Sequence, residues 1–192
     1  MSYQTYTTKA LVCGTFTRNT SDGSYLLFTR EAGMLYADAR SVREEKSKQR
    51  YALQDFSLIN VSLVKGKHGW KIGSVEPQLN YYHEAYNKSA RGSIVGVFRI
   101  LRRFLSGEEA MMYLFDLTTD CLSSLRSDIP NRNYAEEVAA LLIVAELGYV
   151  DKKQIPLEVT GSNLAVVTRI DNKGLVMRVN QLYKQAVAVS HL

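Results

Sequence analysis

Near residue 80 the hydrophobic pattern of this chain changes period from two to 3.6, which restricts the fold to a β module followed by a helical one. Before that point, five β-prone segments, 8–16, 24–30, 34–40, 56–64 and 70–76, are separated by turn chemistry. The turns are Asn19-Thr-Ser-Asp-Gly23, Glu31-Ala-Gly33 and Lys65-Gly66-Lys67-His68-Gly69, and Pro77 is expected to end the fifth strand. In the fourth segment Ile59, Val61 and Leu63 alternate with Asn60 and Ser62, which puts the aliphatic side chains on one face. Five strands in so short a span suggest a small barrel or sandwich, and the count of five favours a five-stranded OB-fold β-barrel over residues 1–80.

The helical pattern beyond it predicts an all-α domain over 81–192, and hence an α+β chain. Ile94, Val97, Phe98, Leu101, Phe104 and Leu105 make one apolar helix face, with Arg99, Arg102 and Arg103 on the other. Ser106-Gly-Glu-Glu109 has the form of a capping box, so a second helix is expected to start at Ser106. Its apolar stripe is Ala110, Leu114, Leu117, Cys121 and Leu125, and Asp128-Ile-Pro130-Asn131 breaks it. A third helix carries Tyr134, Val138, Leu141, Leu142 and Ala145 inward and stops at Gly148. Pro156 and Gly161 interrupt the next stretch, leaving open whether 164–170 is strand or helix. From Lys173 the spacing of Leu175, Val179, Leu182 and Ala186 restores a helix.

Several function classes lack their residues. With 46% hydrophobic and 22% charged residues the composition is that of a globular protein, and no apolar run has the length to span a bilayer. The polar start is no signal peptide, so the expected compartment is the cytoplasm. Cys13 and Cys121 are too few for a disulfide scaffold and are expected to be buried; with His68, His83 and His191 they give no zinc spacing. Glu108/Glu109 and Glu136/Glu137 are helix neighbours that point apart, and Gly66-Lys67-His68-Gly69 lacks the spacing of a phosphate loop. Neither an enzyme nor a cofactor is expected.

Charge is more informative. Residues 1–80 hold 11 Lys+Arg against 7 Asp+Glu, and residues 81–192 hold 13 against 12. Five cations, Arg40, Arg43, Lys46, Lys48 and Arg50, fall in one loop after the third strand, with Tyr36 and Tyr51 at its ends. Flexible cations beside flat rings suit a nucleic-acid backbone and its bases, although Glu44 and Glu45 dilute the local field. An ordinary solvated loop explains the run equally well by itself, and the place of the loop shifts the balance toward nucleic acid, because OB barrels take oligonucleotides on strands 2–3 and the adjoining loops. Lys65, Lys67 and Lys71 form a second basic group, equally explained as a polar hairpin tip. Tyr25 and Tyr36 are the stacking candidates, and Trp70 is expected in the core.

Three blocks carry a resemblance to a known family. Ser21-Asp-Gly-Ser-Tyr-Leu-Leu-Phe-Thr-Arg-Glu-Ala-Gly33, the basic stretch 39–50 and Ala52-Leu-Gln-Asp-Phe-Ser57, followed by Glu146-Leu-Gly-Tyr149, together resemble the RecO-type recombination mediators of bacterial DNA repair. Asp55 stands where that family usually has proline, Ser41 where glycine is common, and the family's four-cysteine zinc motif is absent. The resemblance implies an OB domain and a helical domain that bind single- and double-stranded DNA in the nucleoid. It also implies annealing of complementary strands and, with a RecR-like protein, help in loading recombinase. Arg99, Arg102 and Arg103 would then receive the C-terminal tail of single-stranded-DNA-binding protein, their guanidinium groups holding its carboxylate. The alternatives are an OB adaptor that docks proteins without nucleic acid and an RNA-binding OB protein.

Overall fold

The computed structural model describes residues 5–160 and 163–190. Five strands, β1 (Thr5–Thr17), β2 (Gly23–Thr29), β3 (Gly33–Ala39), β4 (Ser57–Gly66) and β5 (Gly69–Asn80), close into a barrel in the order β1-β2-β3-β5-β4. A one-turn helix, α1 (Gln49–Ala52), lies between β3 and β4. Closure needs one strand to serve two neighbours. The first half of β1 pairs with β4, from Thr5↔Val64 to Leu11↔Leu58, and its second half pairs with β2, from Ala10↔Thr29 to Thr17↔Gly23. The other seam is the parallel contact of β3 with β5, Ala37↔Trp70 and Asp38↔Lys71. This is the strand order of an OB-type barrel.

The core follows from the alternation read in the sequence. Ile59, Val61 and Leu63 are buried with Ala10, Val12, Leu27, Leu35, Ala37, Trp70 and Ile72. Each fully buried Ile, Leu or Val contributes about 1.5–3 kcal/mol, so the three of β4 together contribute about 5–9 kcal/mol before the cost of ordering the chain. Val42 and Leu53 enter the same core, which fixes both ends of the basic loop and α1 to the barrel.

Pro77 does not end β5, which continues to Asn80. Pro77 sits opposite Ile59, where the register with β4 shifts, and an irregularity of this kind tolerates a residue that cannot donate.

The chain divides into two compact units, Met1–Glu84 with Ser106–Phe115, and Ala85–Leu105 with Asp116–Leu192. The expected helix start at Ser106 is not observed; α3 begins at Met112 and runs to Leu125 (Met112–Leu125). Segment 106–111 lies instead against the barrel, where Gly107 O accepts from Met34 N–H at 2.9 Å and Phe115 meets Phe28 edge-on at 5.3 Å. Gly107, at φ +92°, is incompatible with the first turn of a helix.

In the helical unit, α2 (Lys88–Phe104) is capped by Asn87, whose side chain accepts from Ala90 N–H at 2.9 Å. Its buried face includes Ile94, Val97, Phe98 and Leu101. Helix α4 (Arg132–Glu146) buries Ala135, Val138, Ala139, Leu141, Ile143, Val144 and Ala145, so it is apolar nearly all round and is packed by several helices. The stretch after Gly148 holds a 3₁₀ turn (Lys152–Gln154) and the one-turn helices α5 (Leu157–Thr160) and α6 (Leu164–Val167). Segment 164–167 is thus helical; Gly161 lies outside the described residues. Helix α7 (Lys173–Ser190) buries Leu175, Val179, Leu182 and Ala186, as their spacing predicts, and packs on α4. Cys13 and Cys121 are both buried, and burial pushes the Cys121 thiol up to about 12.

Gly33 joins the barrel to segment 106–111. Its φ is +64°, and a Cβ there would lie 2.6 Å from Gly107 O and against Glu109 O. Gly33→Ala is therefore expected to destabilise the chain by about 2–4 kcal/mol in urea unfolding; a loss under 0.5 kcal/mol would show that the segment moves aside at little cost.

Candidate nucleic-acid interface

The register of β1 shifts between Val12 and Gly14, a bulge at Cys13. Before it, Ala10 and Val12 point into the barrel; after it, Thr15 pairs with inward-facing Tyr25, and Phe16 points out. One extra residue reverses the alternation. Phe16 consequently meets Tyr36 of β3 on the outer face, with ring centroids 5.9 Å apart and planes at 53°. Phe16 is 48% exposed and Tyr36 59%. Half-buried Leu26 of β2 is paired with both Gly14 and Tyr36 and floors this patch. Gly14 makes room for it, since a Cβ there would stand 3.2 Å from the Phe16 ring. Beside the rings, Arg18 and Asp38 form an ion pair.

Two loops border this face and are stitched together. Ser41 has φ +50°, the left-handed conformation that glycine adopts more readily, and its N–H donates to Asp22 Oδ1 at 2.9 Å. Arg43 N–H donates to Ser21 O at 3.0 Å, and the Arg43 guanidinium donates to Asn19 O at 2.6 Å. Asn19 in turn accepts from the Ser21 and Asp22 amides and donates to Asp22. The Ser41 amide, helped by Asn19 and by Arg40 and Arg18, holds the Asp22 carboxyl below its ordinary range. Arg43 thus positions the 18–22 loop, while Arg40, Lys46, Lys48 and Arg50 are exposed. Tyr51, at the far end, is 71% exposed.

Two expected site residues have other roles. Tyr25 is 6% exposed and belongs to the barrel core, so it is not a stacking platform. It lines a cleft of about 540 Å³ that also takes in Phe16, Arg43, Phe56 and Tyr82, and burial raises its phenol. Lys65 reaches Glu108 at 2.7 Å and lies 4.9 Å from the centroid of buried Trp70. The Lys65 ammonium pulls Glu108 below the usual carboxylate range. Lys67 and Lys71 remain exposed at the β4–β5 hairpin.

On α2, Arg99 and Arg103 line a cleft of about 530 Å³ together with Gly92, Gly96, Ile100, Glu136, Glu137 and Tyr183, whereas Arg102 is not part of its lining. Arg103 also lies 5.5 Å from the centroid of the Phe104 ring. The boundary between the units changes the charge balance read from the halves of the sequence. The barrel unit holds 11 Lys+Arg against 10 Asp+Glu, because Glu84, Glu108 and Glu109 belong to it. Segment 85–105 of the other unit holds five cations and no acid.

Sequence reasoning missed Phe16, because no local signal marks the bulge that turns it outward. Comparison with protein-family models and with curated proteins finds no match to this chain. Among the described residues, no helix is long and apolar enough to cross a membrane.

The stitched loops make a pH prediction. A depressed carboxyl keeps its contacts at and above the ordinary range and loses them only as pH falls through its lowered value. The Ser41 amide resonance is expected to titrate with a midpoint below the 3.8 of an ordinary aspartate. A midpoint at or above that value would mean the Asp22–Ser41 bond does not persist in solution.

Proposed function

We propose that this chain binds nucleic acid through the outer face of β1–β3 and the 40–50 loop, and that it brings complementary strands together as RecO-type mediators do, without chemistry of its own. The observation that carries this reading is the exposed Phe16–Tyr36 pair, set on the barrel face that OB folds use and bordered by a cation-bearing loop fixed at Val42 and Leu53. Exposed rings offer each unpaired base a π-face. Arg40, Lys46, Lys48 and Arg50 supply sequence-independent attraction to phosphates, and screening that repulsion lets two strands approach. Buried bases of a duplex are out of reach of the rings, so the face favours single strands. A RecR-like protein and the tail of single-stranded-DNA-binding protein belong to the same proposal as partners.

A second reading, a barrel that docks protein and touches no nucleic acid, is favoured by one observation. The barrel unit is close to charge balance, and Lys65 is already paired with Glu108. Salt dependence separates the two.

For labelled oligothymidine, log K is expected to fall linearly with log salt. Lys46→Ala/Lys48→Ala/Arg50→Ala is expected to reduce that slope by about 2, at about 0.7 per phosphate contact. Phe16→Ala or Tyr36→Ala is expected to lower single-strand affinity about tenfold with the salt slope unchanged, and to change duplex affinity less than twofold. Salt-independent binding, or none, would leave the docking reading in its place.

A further inference from the structure

We infer that α2 carries a second polyanion-binding surface, a line of cations along the helical unit that takes the phosphate backbone of a single strand. This rests on the reading that the chain binds nucleic acid, but it concerns different residues in the other unit. Lys88, Arg91, Arg99, Arg102 and Arg103 are all exposed, and segment 85–105 contains no acidic residue. At 100° per residue, Lys88, Arg91, Arg99 and Arg102 fall within about 80° of one another, on the side opposite buried Val97 and Leu101. From Lys88 to Arg103 the helix rises about 22 Å, a span of several phosphates of one strand.

Folding does not account for this arrangement. The N-terminus of a helix favours acids, yet the first turn of α2 has none and bears Lys88. Among the described residues, no ion pair engages Lys88, Arg99 or Arg102. Gly92 and Gly96 lie along the same side, in a helix interior that glycine weakens. A Cβ at either would have nothing within 4 Å, so neither glycine is required by packing. What their lack of side chains does is open the cleft that they line beside Arg99 and Arg103.

The surrounding groups select the occupant. A lipid surface would need apolar side chains to insert beside the cations, but the large apolar residues Ile94, Val97, Phe98 and Leu101 are buried in the unit. Glu136 and Glu137 line the neighbouring cleft, where Ser93 donates to Glu136 at 2.6 Å and Asn180 to Glu137 at 3.0 Å. Those carboxylates repel phosphates from the depth of the cleft, which Arg99 and Arg103 share with them, and leave Lys88, Arg91 and Arg102 as the cations outside it.

The test uses the full chain and a 20-nucleotide oligothymidine. Lys88→Ala/Arg99→Ala/Arg102→Ala is expected to lower the salt slope by about 2, and the charge-keeping variant Lys88→Arg/Arg99→Lys/Arg102→Lys to restore it. The loss should add to that of Lys46→Ala/Lys48→Ala/Arg50→Ala. An unchanged slope in the α2 alanine variant, with the barrel variant still defective, overturns this inference and leaves the barrel reading standing. A loss in the α2 variant alone supports the inference and removes the barrel reading. Binding of phosphatidylserine vesicles or of an acidic peptide, with no change in the DNA slope, overturns it in favour of those partners. No salt-dependent binding by the native chain sinks both.

Discussion

Everything at the barrel face depends on β1 serving two neighbours at once. A strand of 13 residues that pairs with β4 by its first half and β2 by its second must bend, and the bulge at Cys13 supplies the bend. The same extra residue reverses the alternation and turns Phe16 from the core to the surface. Closure of the barrel and presentation of the aromatic pair are therefore one event. Gly14, directly after the bulge, lets the Phe16 ring approach the sheet.

The second dependence is on anchoring. A loop of five cations would ordinarily sample many conformations, and a phosphate contact made by it would cost the entropy of ordering it. Here Val42 and Leu53 hold the loop's ends in the core, and the Ser41–Asp22 and Arg43–Asn19 bonds tie its start to the neighbouring loop. The cost of order is met by the fold before any partner arrives. Arg43 accordingly acts as a structural clamp, although its spacing groups it with the exposed cations of the loop.

Period and turn chemistry disclosed the five strands and the inward faces of β4 and α7, because each of these is a local pattern, and the burial of Trp70 followed from its residue type. What escaped was non-local. The bulge at Cys13 is visible only against the partner strand, which hides Phe16; Tyr25 shares the inward face of β2 with Leu27, and the unbroken apolar run 25–28 conceals which face that is. Ser106-Gly-Glu-Glu109 has the letters of a capping box, but Gly107 takes a left-handed conformation and the segment packs against Gly33. That transfer of Glu108 and Glu109 to the barrel unit is also why the charge split at residue 80 misplaced the basic excess, which the structure concentrates on α2.

The central claim is that the outer face of β1–β3, with the anchored loop beside it, is where a single strand lies. Titrating ¹⁵N-labelled protein with a short oligothymidine and following backbone amide resonances tests it most directly. The account predicts the largest shifts at Phe16, Tyr36 and residues 40–50, with a separate set along α2. Shifts that avoid β1–β3 and the 40–50 loop, or none at concentrations where the oligonucleotide is bound, would contradict it.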